Sequence, residues 1–281
     1  MARLSASIAI TLLLGTTAHT ALAAPVPVAN ADFEALYFGS NLPAQYAGDV
    51  PPGAFPTGPP PADWTAYYEL GTPQGGEFLG VLNPGTTADY MGGMPCFPAG
   101  APQGDNMLLL YQDGDVGGTP YGVTQVLTTD LEADTVYTLS VDVGNIQSCA
   151  GLVAPFQNFF DLGGFPGYRV QLLADGVVLV EDAGLLTPGE GLVETTTLVY
   201  PSGSGPIAPG QMLEIRLINE NDPDVPGVSG LEVDFDDVRL DATPVAAVPI
   251  GRGVAWALAG LLLTTGALSA RALRTRRART G

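Results

Sequence analysis

Between Ala24 and about residue 243 apolar and polar positions alternate with period two, and no stretch sustains helical spacing. In Thr135 to Val143, residues Tyr137, Leu139, Val141 and Val143 share one face while Thr138, Ser140 and Asp142 take the other. Met212 to Asn219 sets Leu213, Ile215 and Leu217 inward against Glu214 and Arg216 outward. The same reading predicts strands at 32–36, 77–82, 107–111, 122–128, 168–174, 177–182 and 193–200, with Ala174-Asp175-Gly176-Val177 as a tight hairpin. Strands separated by long Gly/Pro loops predict an all-β, two-sheet sandwich of jelly-roll type. Residues 42–63 hold seven prolines and are expected to form an extended surface loop.

The last strand breaks its alternation. Leu231, Val233 and Phe235 sit on odd positions, Val238 and Leu240 on even ones. Keeping all five inward requires one extra residue at Asp236-Asp237, which is a β-bulge. A carboxylate beside a core strand needs compensation, by a bound cation, by Arg239 or by solvent.

The two ends follow another pattern. Arg3 precedes an apolar run at Ile8–Gly15, and Ala21-Leu22-Ala23 supplies small residues for cleavage, so residues 1–23 read as a signal peptide. Val254–Ala270 is seventeen residues without a charge, with five arginines in the closing 271–281 tail. That predicts one C-terminal transmembrane helix with a basic cytoplasmic end. The expected organisation is therefore signal peptide 1–23, sandwich 24–243, linker 244–253, membrane helix 254–270 and tail 271–281. The protein is expected to be exported, then membrane-anchored or processed and released to the cell surface or matrix.

Charge sharpens the picture. The exported part, 24–250, carries all 29 acidic residues and three basic ones, Arg169, Arg216 and Arg239, a balance of 3 − 29 = −26. It has no lysine, and the single histidine, His19, lies in the leader. This removes imidazole bases, His-bound metals and Schiff-base chemistry. It also disfavours nucleic acid as a partner. Hard cations bound through oxygen, above all calcium, suit such a surface. Cys96 and Cys149 are expected to pair as one disulfide in an oxidising exterior.

Asn30-Ala31-Asp32-Phe33-Glu34, the run Tyr137–Gly144 and Val233–Leu240 together resemble the galactose-binding-like jelly rolls, carbohydrate-binding modules among them. The resemblance implies a structural calcium where first and last strands meet, held by Glu34 and Asp236 with Asp32 as a third candidate. Val248-Pro249, the helix and the arginines resemble an exosortase-type (PEP-CTERM-like) sorting signal, without its Pro-Glu-Pro triplet. The resulting expectation is a non-catalytic surface or matrix protein. Its expected partners are extracellular polysaccharide, the membrane and a sorting enzyme. Trp64, Tyr67, Phe159 and Phe160 are candidate sugar platforms, against the alternative that such aromatics fill the β-core. Two alternatives stay open: a purely structural domain, and a glycoside hydrolase or lyase working with carboxylates alone.

Overall fold

Two antiparallel sheets face each other across an apolar core, and each is built around one of the most regularly alternating strands. The computed structural model describes residues 22–35, 57–85, 93–113, 119–150, 161–203, 207–222 and 230–245. Its strands are β1 (Ala24–Val26), β2 (Thr65–Tyr68), β3 (Glu77–Leu82), β4 (Met107–Asp113), β5 (Tyr121–Asp130) and β6 (Thr135–Asn145). They continue with β7 (Tyr168–Ala174), β8 (Val177–Ala183), β9 (Leu192–Pro201), β10 (Met212–Asn219) and β11 (Gly230–Pro244). No helix occurs among the described residues, and so none there is long and apolar enough to cross a membrane. The predicted leader core, the membrane helix 254–270 and Val248-Pro249 lie outside the described residues.

The first sheet runs β3-β4-β11-β6-β9, with β1 pairing β11 beyond the end of β4; the second runs β2-β5-β10-β7-β8. Tyr137, Leu139, Val141 and Val143 of β6 are fully buried, as are Leu213, Ile215 and Leu217 of β10. They meet in one core together with Val233, Phe235, Val238 and Leu240 of β11. The inward step from odd to even positions on β11 is made by a register shift between Asp236 and Arg239, with Asp237 at φ 47°. Asp175 and Gly176 both take positive φ and join β7 to β8.

One predicted strand is absent. Residues 30–33 form turns, with Asn30 and Phe33 at positive φ, and the N-terminal strand that pairs with β11 is Ala24–Val26. Phe33 plunges into the core and packs on Trp64 at a centroid distance of 5.5 Å. Burying that ring contributes about 1.5–3 kcal/mol. Asn30 fixes the turn by donating to the carbonyls of Ala35 and Ala62 and accepting from Ala35 N.

A second apolar cluster lies on the opposite, outer face of the first sheet. Leu82, Met107 and Leu109, which alternate with core residues of β3 and β4, pack there against Cys96, Phe97, Ile146 and Cys149. Over β3, β4 and the β11 residues paired with them, the outer face of this sheet is thus roofed by loops.

Candidate functional site

On β11 the odd residues 231–235 enter the core, so Glu232, Asp234 and Asp236 must point to the roofed outer face. All three are buried: Asp234 and Asp236 completely, Glu232 to 3% exposure. Cross-strand pairing sets Glu232 beside Tyr111, and Tyr111 beside Phe78. Asp234 lies between Leu109 and Gly144. Gly144 allows close packing there, since a Cβ would stand 3.0 Å from the Phe97 ring and 3.2 Å from Asp234 Cβ.

Glu232 opens on a cavity of about 240 Å³. Phe78 and Tyr111 form an aromatic wall, with rings 5.6 Å apart, and Leu82, Leu109, Ile146 and Leu162 supply aliphatic surface. The Cys96–Cys149 disulfide (S–S 2.04 Å) lines it as well. Among the described residues the remaining lining is mainly apolar, with Thr57 and the Tyr111 hydroxyl as its other polar groups, the form of a small-molecule site with a few placed polar groups.

Burial pushes the Glu232 carboxyl up to about 7, and pushes that of Asp234 well above the usual carboxylate range, with Glu232 beside it raising it further. Glu232 Oε1 and both Asp234 oxygens find no donor among the described residues. A proton held between the two carboxyls is the donor they can share, since two adjacent buried carboxylates cannot both ionise. The arrangement is an acid aimed into an apolar cavity. Sequence reading missed it. Its one signal was three carboxylates on alternate positions of the final strand.

Asp236 and Glu34 form a second, adjoining constellation. Glu34 Oε1 accepts from Asp105 N at 2.6 Å and Asn106 N at 2.7 Å, and Oε2 accepts from Asn106 Nδ2. Asp236 Oδ2 accepts from Gln103 N at 2.8 Å. The two carboxylates therefore clasp one loop, 103–106, from opposite ends. Burial raises the Asp236 carboxyl to about 8, eased by the amides of Gln103 and Asp237. Asn106 Oδ1 is buried without a partner among the described residues. At Gly104, with φ 65°, the Glu34 carboxylate packs directly on the backbone: a Cβ there would stand 2.2 Å from Glu34 Oε1. Two carboxylates and an orphaned amide oxygen are a donor set suited to a hard cation. Asp32 does not join them: with no strand to align it, its carboxylate accepts from Glu34 N at 3.5 Å as a local turn. Among the described residues no group of three acidic, His or Cys side chains converges on one point.

The sugar-platform candidates fall apart. Trp64 is buried at 5% exposure, its Nε1 donating to Asn30 O, so it presents no face to solvent. Tyr67 lies on the outer face of β2, and its ring is taken by the Arg216 guanidinium at 4.8 Å. Phe159 and Phe160 lie outside the described residues.

A family model described as HpiC1-like, HpiC1 cyclase, matches residues 24–241. No curated protein gives a match. A Stig cyclase, Fisc from Fischerella sp. TAU, solved in complex with (3Z)-3-(1-methyl-2-pyrrolidinylidene)-3H-indole, is 32% identical with a TM-score of 0.59, covering 80% of this chain and 100% of its own. A cyclase from the same organism in complex with 4-(1H-indol-3-yl)butan-2-one is 33% identical with a TM-score of 0.58, covering the same shares. These findings correct the resemblance to galactose-binding-like surface proteins with an exosortase-type tail. They also overturn the non-catalytic role, including its structural and carboxylate-only hydrolase or lyase alternatives. Polysaccharide, membrane and sorting-enzyme partners go with it, because the relatives are enzymes holding small indoles.

Proposed function

The chain belongs to the HpiC1-like cyclase family, and we propose that it is itself a cyclase, closing a ring in an unsaturated, indole-bearing small molecule by proton transfer from Glu232. The observation that carries this reading is the buried Glu232 carboxyl, raised by burial to about 7, at the wall of a cavity whose described lining is otherwise mainly apolar. Glu232 donates its carboxyl proton to an electron-rich carbon of the substrate: the O–H bond breaks and a C–H bond forms. A second π bond attacks the resulting cation and forms the new ring bond. Loss of a proton from the ring returns it to the Glu232 carboxylate. Substrate and product are isomers, and no electrons are gained or lost.

Each neighbour has a part in this scheme. Asp234, raised by burial and further by Glu232 beside it, keeps its own proton and shares it with the Glu232 carboxylate left after proton donation. The rings of Phe78 and Tyr111 face the developing positive charge and stabilise it. Leu109, Ile146 and Leu162 exclude water that would capture the cation.

The same reading includes a calcium ion held by Glu34, Asp236 and Asn106 Oδ1, supported by the donor set. Such an ion would supply charge compensation for Asp236 and fix the 103–106 loop, and takes no part in the proton transfer. It also includes a jelly-roll connectivity, supported by the pairing of β1 with β11, and export, supported by the leader-like residues 1–23 and the cystine.

The test is incubation of the purified chain in D2O with indoles bearing alkenyl or alkylidene side chains, followed by mass spectrometry. Isomeric products carrying deuterium at a newly protonated carbon are expected with the wild type and absent with Glu232→Gln. Equal conversion by both proteins would remove Glu232 from the mechanism. No conversion of any indole by the wild type would remove the activity.

A further inference from the structure

The roof of the cavity is made of loops, and the structure shows how they are tied. Cys96 lies in the 93–106 loop before β4, Cys149 in the segment that follows β6, 53 residues later. Both are 1% exposed, both line the cavity, and both belong to the outer-face cluster and not to the core between the sheets. Around the bond the two segments form a short ribbon: Met94 N donates to Ala150 O at 2.6 Å and Ala150 N to Met94 O at 2.8 Å. Gln147 N donates to Cys96 O at 3.3 Å, and Gln147 Nε2 to Pro95 O at 2.5 Å.

The tie extends one residue further. Ser148 Oγ donates to Asp161 Oδ1 at 3.1 Å and accepts from Leu162 N at 3.2 Å. Leu162 is itself a wall of the cavity. A connected path therefore runs from Cys96 through Cys149 and Ser148 to Leu162. We propose that the Cys96–Cys149 disulfide is a positioning element of the site: it clamps the apolar roof over Glu232 and makes ligand binding depend on oxidation. The inference rests on the cavity being the cyclase site, as read above.

A disulfide that only restricts the unfolded chain would change stability and leave ligand affinity untouched far below the melting point. A clamp changes affinity while the sandwich stays folded, because the core between the sheets contains neither cysteine. The probe is 4-(1H-indol-3-yl)butan-2-one, titrated calorimetrically at 15 °C into three forms of the full chain. One is oxidised wild type. The second is wild type reduced with dithiothreitol, which gives two electrons and two protons to the cystine and closes to its own cyclic disulfide. The third is Cys96→Ala/Cys149→Ala. Reduced and doubly substituted forms are expected to bind about tenfold more weakly, reoxidation to restore affinity, and the β-type circular dichroism to stay unchanged. Ser148→Ala, with the disulfide intact, is expected to weaken binding to a smaller extent.

Hydrogen exchange supplies a readout that needs no ligand. The amides of Met94, Ala150 and Leu162 are expected to lose protection on reduction while those of β6 and β10 keep theirs. Unchanged affinity, or unchanged exchange at those three amides, overturns the clamp. If oxidised wild type fails to bind the probe, the functional reading falls, and the exchange result still decides whether the roof is clamped.

Discussion

Glu232 and Asp234 stand two positions apart on one face of β11, carboxyl beside carboxyl, in a space closed to solvent. Nothing cationic is paired with either among the described residues. An isolated buried carboxylate is costly, so the pair exists as acid and not as dianion. Replacing Glu232 by Gln keeps the volume and removes the transferable proton. Turnover is expected to fall by about 10²–10⁴-fold, the usual contribution of a positioned acid, with no loss of thermal stability. A melting curve beside the D2O assay separates the two effects.

The same burial sets a pH dependence. Glu232 is raised from its ordinary 4.5 to about 7 in the folded chain. A carboxyl raised on folding contributes stability that is fully present below the unfolded value and is lost as pH rises through the folded one. Both activity and melting temperature are therefore expected to decline between pH 5 and 8. In Glu232→Gln the decline in melting temperature should be shallower. An identical slope in the variant would show that Glu232 titrates normally.

Calcium and the 103–106 loop make a third expectation. EDTA should lower the melting temperature of the wild type and leave Glu34→Ala or Asp236→Ala unaffected. Gly104→Ala should mimic the chelated state, because its Cβ would meet Glu34 Oε1 at 2.2 Å on a backbone at φ 65°. Melting curves that coincide with and without chelator would leave Glu34 and Asp236 as loop clasps alone.

Much of the sandwich is visible in the residues themselves. Strands β6 and β10 show their alternation because their inward positions, Tyr137 to Val143 and Leu213 to Leu217, are filled from the apolar core, and the Asp236-Asp237 bulge follows from a parity change among five apolar residues. The 30–34 segment misleads, since Asp32, Phe33 and Glu34 alternate like a strand although Phe33 turns inward as a plug. The site is hidden for another reason. Glu232, Asp234 and Asp236 occupy the positions where a strand normally meets water, and only a distant loop roof, held by Cys96 and Cys149, turns them into buried acids. Nothing local to β11 records that roof.

Core and cavity should respond oppositely to substitution. Trp64 belongs to the core between the sheets, packed on Phe33 and remote in role from Glu232. Trp64→Ala is expected to destabilise the fold by about 3–5 kcal/mol while the residual folded protein keeps its affinity for 4-(1H-indol-3-yl)butan-2-one. Ile146 lines the cavity and sits in the outer-face cluster. Ile146→Trp pushes an indole of the protein's own into that space. It is expected to cost about 1–3 kcal/mol by overpacking and to abolish probe binding. Calorimetric titration and thermal denaturation of both variants test the pair. Loss of binding in Trp64→Ala at a temperature where it is folded, or retention in Ile146→Trp, would place the ligand somewhere other than beside Glu232.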